Sequence, residues 1–432
     1  MCIRDSRSVY NAPSAQRLLG AFDAARFEAV LREIIRRQPA LRTCMGVDPA
    51  NGAPVQTIAR AVDFSLPVID LRELPADQRE AELAERMQEL ADRPIDIHRA
   101  PMLHAALFRI DEETHVFVFV PHHLVWDGWS FDLLQAELAA LYDAAERGRP
   151  HALPALATTH GDYAEWLAGW MTTPEFEAQR ALWRERAAAV AAPRLPRTDM
   201  PRRAGRSGQG GSQWIAIDLP ATQRLRETAR ALDVTLSMFS FAIHALAMSR
   251  ALGSETLVVA NPVRGRQQPE TENVMGVFNN MLPVSLRIAL GLTLPDYLRY
   301  VKQELLALMG CQQVPFERLV AEPGGPARAG SAYQTMFSFQ DARERGSRIG
   351  SLRTQQMHLL QRGATDDIGV WLLDTPHGLE GALIYNADIY LRETGAQLRE
   401  RYLELLRRAA DRPHATLAQL ASEEGSASAA YL

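Results

Sequence analysis

Two adjacent histidines, His122 and His123, close an almost wholly apolar run at 115–120, and Asp127 and Gly128 follow shortly after. Side chains alternate faces along a strand, so consecutive histidines cannot both enter the interior. One is expected to be buried and held by a hydrogen bond, while the other faces the opposite side and offers an imidazole for acid–base work. Asp127 supplies a carboxylate to hold the turn. Gly128 lets the backbone pass tightly and brings its N–H close to a substrate with no Cβ in the way. This set suits general acid–base chemistry without a protein nucleophile. Two other readings stand beside it. A histidine at a strand end is commonly a satisfied structural residue, and His122, His123 and Asp127 are all metal-ligand types. Alternating faces make it awkward for both imidazoles to reach one ion, and no second ligand cluster accompanies them, so no metal is expected. Ser130 lacks the G-x-S-x-G elbow of an acyl nucleophile.

The elements that position these residues follow from periodicity. A helix is expected over 23–37, with Asp23 as its cap and Phe27, Val30, Leu31, Ile34 and Ile35 on one stripe. A second helix over 77–92 is stopped by Pro94. Runs at 102–110 and 115–120, separated by the turn at 111–114, read as an antiparallel hairpin. A helix at 131–147 follows the histidine loop, with Leu133, Leu134, Leu138, Leu141 and Tyr142 on its apolar face. A long helix is expected over 176–191. The stretch 192–212, rich in Pro, Arg and Gly, reads as an exposed linker. Beyond it the pattern restarts, with helices near 222–231 and 236–251 and strands at 214–219, 256–260, 283–288, 335–339, 369–373 and 383–386. Mixed helices and strands in both halves give an α+β class with two lobes.

Composition narrows the chemistry. With 432 residues, 47% of them apolar and 23% charged, the chain is an ordinary folded protein rather than a disordered tail or fibrous repeat. The net charge of -5 provides no basic field for nucleic acid. Lys302 is the sole lysine among 47 basic residues. That removes a phosphate-cradling Gly-rich loop ending in lysine and leaves almost no candidate for a Schiff base. The substrate is therefore expected to arrive already activated. Cys2, Cys44 and Cys311 are too few and too scattered for a disulfide framework or a zinc pair. No signal-peptide core and no apolar stretch of membrane-spanning length is present, so a cytoplasmic protein without a membrane partner is expected.

The segment 122–130, HHLVWDGWS, resembles the HHxxxDG signature of condensation domains of nonribosomal peptide synthetases, which share the fold of chloramphenicol acetyltransferase-like acyltransferases. Other blocks occur in matching order. Residues 37–43 resemble the family's RHExLRT block, 162–166 its DYAxW block and 261–266 with Pro269 and Glu270 its PVAGR…PE segment. Residues 275–280 resemble IGxFVN, and 314–317 resemble VPFE. Departures are Gln38-Pro39 for the family's His-Glu, Cys311 for a His, and Asn279 and Met281 in the FVNT block. The family's opening motif is missing before Arg7, so the chain reads as a fragment of a larger synthetase, and the stretch from 422 to the end resembles a linker.

The resemblance implies two acetyltransferase-like lobes arranged as a V-shaped pseudodimer. The expected boundaries are 1–175 for the lobe with HHxxxDG, 176–212 for a connecting helix and linker, and 213–432 for the second lobe. A tunnel between the lobes would admit substrates from opposite sides. It implies peptide-bond formation between a donor acyl or aminoacyl thioester and an acceptor aminoacyl amine. Both would be tethered through phosphopantetheine to upstream and downstream carrier proteins, beside an adenylation domain, with no cofactor bound by this domain. By correspondence His123 is the functional histidine, His122 its structural neighbour, and Asp127 a buried partner of an arginine, with Arg266 expected and Arg42 the competitor. Gly128 and His123 are expected to donate hydrogen bonds to the oxyanion. Trp126, Trp129 and Ser130 are expected along the substrate channel, with core packing the alternative for Trp126. Competing readings are a free-standing acyl-coenzyme A-dependent acyltransferase, an epimerisation domain and a non-catalytic docking platform for carrier proteins.

Overall fold

A computed structural model describes residues 8–188, 197–202, 207–320, 333–343, 345–359 and 361–422. In chain order, the first half carries β1 (Ser14–Leu19), α1 (Ala24–Arg37), β2 (Thr43–Val47), β3 (Pro54–Ile58), β4 (Val68–Asp70), α2 (Ala76–Asp92), β5 (Leu103–Arg109), β6 (Thr114–Pro121), α3 (Gly128–Glu146), α4 (His160–Trp170) and α5 (Pro174–Ala188). The second carries β7 (Gly210–Asp218), α6 (Leu219–Ala231), α7 (Leu236–Leu252), β8 (Thr256–Val263), β9 (Asn280–Arg287), α8 (Leu294–Met309), α9 (Phe316–Val320), β10 (Thr335–Asp341), β11 (Arg348–Ile349), β12 (Leu352–Met357), β13 (Ile368–Thr375), β14 (Gly378–Asn386), α10 (Arg392–Asp411) and α11 (Leu417–Ala421).

The chain divides into two compact units. The first comprises Met1–Trp170, Arg264–Asn279 and Glu344–Thr365. Its six-stranded sheet runs in the order β11-β12-β1-β6-β5-β4. Strand β6 lies centrally and is buried on both faces, which explains its unbroken apolar sequence. Phe117 and Phe119 face a cluster with Phe27 and Leu31 of α1 and Leu134, Leu138 and Tyr142 of α3. Val116, Val118 and Val120 face the opposite cluster, with Leu83, Met87 and Leu90 of α2. The expected hairpin is present, with Leu103 opposite Pro121 and Arg109 opposite His115.

The second unit comprises Met171–Val263, Asn280–Arg343 and Asp366–Leu432. Its six strands run β7-β14-β13-β10-β8-β9, with β10 parallel to both neighbours and the other pairs antiparallel. Helix α7 is buried almost along its whole length, in keeping with its all-round apolar sequence.

Two sequence expectations need correction. A boundary that gives 213–432 entirely to a second lobe misplaces 264–279 and 344–365. The latter stretch carries β12, which pairs antiparallel with β1 from Ala15 opposite Met357 to Leu19 opposite Arg353. Strand β1 itself went unread, because Gln16 and Arg17 break its apolar pattern, and its place is set by pairing with β6 and β12. The helix expected over 176–191 is α5, described from Pro174 to Ala188; its last three expected residues, 189–191, and residues 192–196 and 203–206 of the expected linker lie outside the described residues. The linker's last residues, 210–212, already belong to β7.

Candidate active site

Strand β6 ends at Pro121, and the next six residues form the loop to α3. The two histidines, just past the strand end, take opposite environments. His122 is 1% exposed. Its backbone N–H donates to Met102 O at 2.9 Å, and its Nδ1 accepts from Leu124 N–H at 3.1 Å. Burial, with a smaller contribution from His123, pulls the His122 imidazole down to about 4, so it is neutral across the physiological range. His123 is exposed, and its backbone N–H donates to Tyr10 O at 2.7 Å. A neutral acceptor thus locks the loop from inside while the neighbouring imidazole faces outward.

Asp127 ends the loop and starts the helix. It caps α3, its Oδ1 accepting from Ser130 N–H at 2.9 Å and from the Ser130 hydroxyl at 2.8 Å. This cap explains why α3 begins at Gly128 rather than at the expected 131. Oδ2 accepts from Arg266 Nη1 at 2.6 Å and from Phe278 N–H at 3.1 Å. Both side chains of the Asp127–Arg266 pair are withdrawn from solvent, at 1% and 0% exposure. Burial lowers the guanidinium from its ordinary value, and the Asp127 charge and hydrogen bond raise it. The Phe278 ring lies 4.2 Å from the guanidinium carbon. Arg42, the competing partner, turns elsewhere: it donates to the carbonyls of Ile35, at 3.2 Å, and Ala59.

Residues 272–278 belong to no helix or strand, and side chains hold them nearly residue by residue. Trp129 Nε1 donates to Glu272 O at 3.0 Å, Gln38 Nε2 to Asn273 O at 3.1 Å and Arg266 Nη2 to Val274 O at 3.0 Å. Met275 N–H donates to Gln38 Oε1 at 3.0 Å and Gly276 N–H to Ser130 Oγ at 3.1 Å. His160 Nε2 bonds Val277 O at 3.0 Å. Gly265 makes the close approach possible: at φ +71, a Cβ there would stand 1.8 Å from Phe278 O. Gln38 was legible only as a departure from a motif, and His160 was not singled out at all. Neither has a spacing signal, because their partners, backbone atoms of 273–277 and for Gln38 also the Glu137 carboxylate, lie far along the chain.

The residues expected along a substrate channel are placed differently. Trp126 is fully buried between Phe119 and Phe131, each with ring centroid 5.2 Å away, so it packs the core. Ser130 is also fully buried, its hydroxyl held between Asp127 Oδ1 and the backbone of Gly276. Trp129 is half-buried, its indole N–H bound to Glu272 O and its ring 3.5 Å from the guanidinium carbon of Arg264. Gly128, also half-buried, opens the first turn of α3, where helical amides lack an intrahelical acceptor. Cys311 is buried, its thiol pushed up to about 11 by desolvation, which makes it inert. Among the described residues, no three His, Cys, Asp or Glu side chains are grouped to hold a metal ion.

A six-stranded mixed sheet in each unit, with an outward imidazole and a buried Asp–Arg pair at a strand end, defines a protein of the chloramphenicol acetyltransferase-like fold. The sequence matches the Condensation domain family over residues 3–428, and the chain belongs to that family. It is 32% identical over 402 residues to a linear gramicidin synthase polypeptide of Brevibacillus parabrevis, covering 92% of this chain and 5% of that one. It is 30% identical to phosphinothricin tripeptide synthetase PhsC of Streptomyces viridochromogenes, covering 97% and 39%. The chain therefore spans a minor part of these relatives. Among solved structures, SgcC5 from Streptomyces globisporus superposes with TM-score 0.83 at 25% identity, over 94% of each chain. The first condensation domain of the CDA synthetase gives 0.82 at 22%, over 96% and 94%. Condensation domains form amide bonds in nonribosomal peptide synthesis, working with substrates held on carrier proteins.

Proposed function

We propose that this chain joins a donor acyl or aminoacyl thioester on an upstream carrier protein to the amine of an aminoacyl thioester on a downstream one. Both substrates would be borne on phosphopantetheine, with no cofactor of the domain's own. The observation that carries this reading is the exposed imidazole of His123 on a loop pinned at both ends. Neutral, buried His122 fixes one end, and the Asp127–Arg266 pair fixes the other. The reaction is an attack by a neutral amine on a thioester carbonyl, which releases the donor's thiol.

The chemistry matches the residues. A thioester is activated already, in keeping with a chain that has one lysine and no phosphate loop. An α-amino group ionises at about 7.7–8.0, so a fair fraction is neutral at physiological pH. His123 orients that amine and accepts its proton as the C–N bond forms. Holding two tethered reactants in line supplies on the order of 7–11 kcal/mol at the upper limit. The Gly128 N–H, at the positive end of α3, is suited to the oxyanion of the tetrahedral intermediate. A cytoplasmic setting beside an adenylation domain belongs to the same reading. Among the described residues, no single helix is long and apolar enough to cross a membrane.

The test is intact-mass detection of a dipeptidyl carrier protein when this chain is mixed with two loaded carriers. Product on the acceptor carrier, with the donor carrier emptied, supports the proposal. Transfer from free acyl-coenzyme A, with none from loaded carriers, overturns it in favour of a free-standing acyltransferase.

A further inference from the structure

Gln38 is fully buried at the C-cap of α1, and its amide is spent entirely on polar partners. Nε2 donates to Glu137 Oε1 on α3 at 2.7 Å and to Asn273 O at 3.1 Å, while Oε1 accepts from Met275 N–H at 3.0 Å. With an acceptor on either side of Nε2 and a donor facing Oε1, only one orientation of the amide satisfies all three. Glu137 is itself 5% exposed, its Oε2 lying 3.5 Å from Arg37 Nε. Desolvation raises its carboxyl above the ordinary range.

A buried carboxylate is a costly way to pack one helix on another, and an apolar side chain of similar volume would serve the packing as well or better. An apolar pair cannot keep the Gln38 carbonyl aimed at Met275 N–H. The same short segment carries Gly276 N–H to Ser130 and Phe278 N–H to Asp127, the residue that ends the His123 loop.

We propose that Gln38 and Glu137 are positioning residues of the condensation reaction: Glu137 orients the Gln38 amide, which holds residues 273–275 in register, and through Phe278 and Asp127 the His123 loop is set. The inference rests on the condensation reading for its kinetic consequence but not for its structural one. Two readouts are therefore needed.

Glu137→Leu and Gln38→Leu are compared with wild type by dipeptide formation on loaded carriers and by hydrogen exchange. The expected result is a kcat about tenfold lower with KM for both carriers unchanged within about twofold, in line with a lost positioning contact. Exchange should accelerate at Met275, Gly276 and Phe278 and not in the cores. Glu137→Gln, whose carbonyl can still accept from Gln38, should recover most of the rate. In a His123→Ala background, Gln38→Leu should cost nothing more, because its effect runs through that loop. Should the leucine variants not fold, Gln38→Asn, too short to reach both sides, carries the same comparison. Unchanged exchange in the segment overturns the inference even if the wild-type chain makes no dipeptide. So does a Glu137→Gln as slow as Glu137→Leu, or a loss in KM with kcat intact.

Discussion

Arg266 Nη1 and Asp127 Oδ2 stand 2.6 Å apart with neither side chain open to solvent, joining two stretches far apart in the chain. The carboxylate also caps α3 and receives Phe278 N–H, so one side chain fixes a helix start, an irregular segment and the end of the histidine loop. Removing the cation leaves a buried, unpaired charge. Arg266→Met should lower unfolding free energy by about 3–5 kcal/mol, read as a reduced denaturant midpoint. Arg266→Lys should recover little of it, since an ammonium cannot reach Asp127 and Val274 O in the guanidinium's planar geometry. Wild-type stability in Arg266→Met would contradict the pairing.

Buried imidazoles, His122 and His244 the most strongly shifted among them, set an acid limit on stability. His122 is held down at about 4 and His244, wholly buried against Thr335, at about 3. Both take up a proton less readily folded than unfolded, so as pH falls through about 6.5 the unfolded chain binds more protons and stability drops. The loss should run from about pH 6.5 towards pH 4, several kcal/mol in total at about 1.4 kcal/mol per pH unit per group. Denaturant midpoints measured at half-unit steps check this. A midpoint flat between about pH 6.5 and 4.5 would contradict it.

Gly265 is fixed by its surroundings. A methyl group there would overlap Phe278 O, and the left-handed backbone adds strain for any L side chain. Gly265→Ala should destabilise by on the order of 3 kcal/mol and loosen the 272–278 segment, visible as faster amide exchange there.

Trp126, although it lies within the signature, packs the core. Trp126→Phe should cost stability without altering the relative rates with small and bulky donor aminoacyl groups. A donor preference that broadens towards larger groups would return Trp126 to the channel.

Much of the fold was legible because burial imposes period. The α1 stripe from Phe27 to Ile35, the apolar run of β6 and the Asp23 cap each carry their own signal. The histidine pair and Asp127 stand out by residue type and spacing, and the split environment of His122 and His123, just past the end of β6, is held by their backbone bonds to Met102 O and Tyr10 O. What stayed hidden depends on distant partners. Strand β1 becomes central only through β12, and Gln38 and His160 matter through backbone atoms of 273–277. Trp126 and Ser130 were misplaced because a motif fixes position along the chain but not which way a side chain turns.

The central claim concerns one exposed imidazole. Single-turnover dipeptide formation on loaded carriers, followed by intact mass for wild type and His123→Ala at matched folding stability, tests it most directly. The account predicts a rate at least about 100-fold lower for His123→Ala, with melting temperature unchanged because the side chain is exposed. A variant that couples its substrates at the wild-type rate would remove His123 from the mechanism.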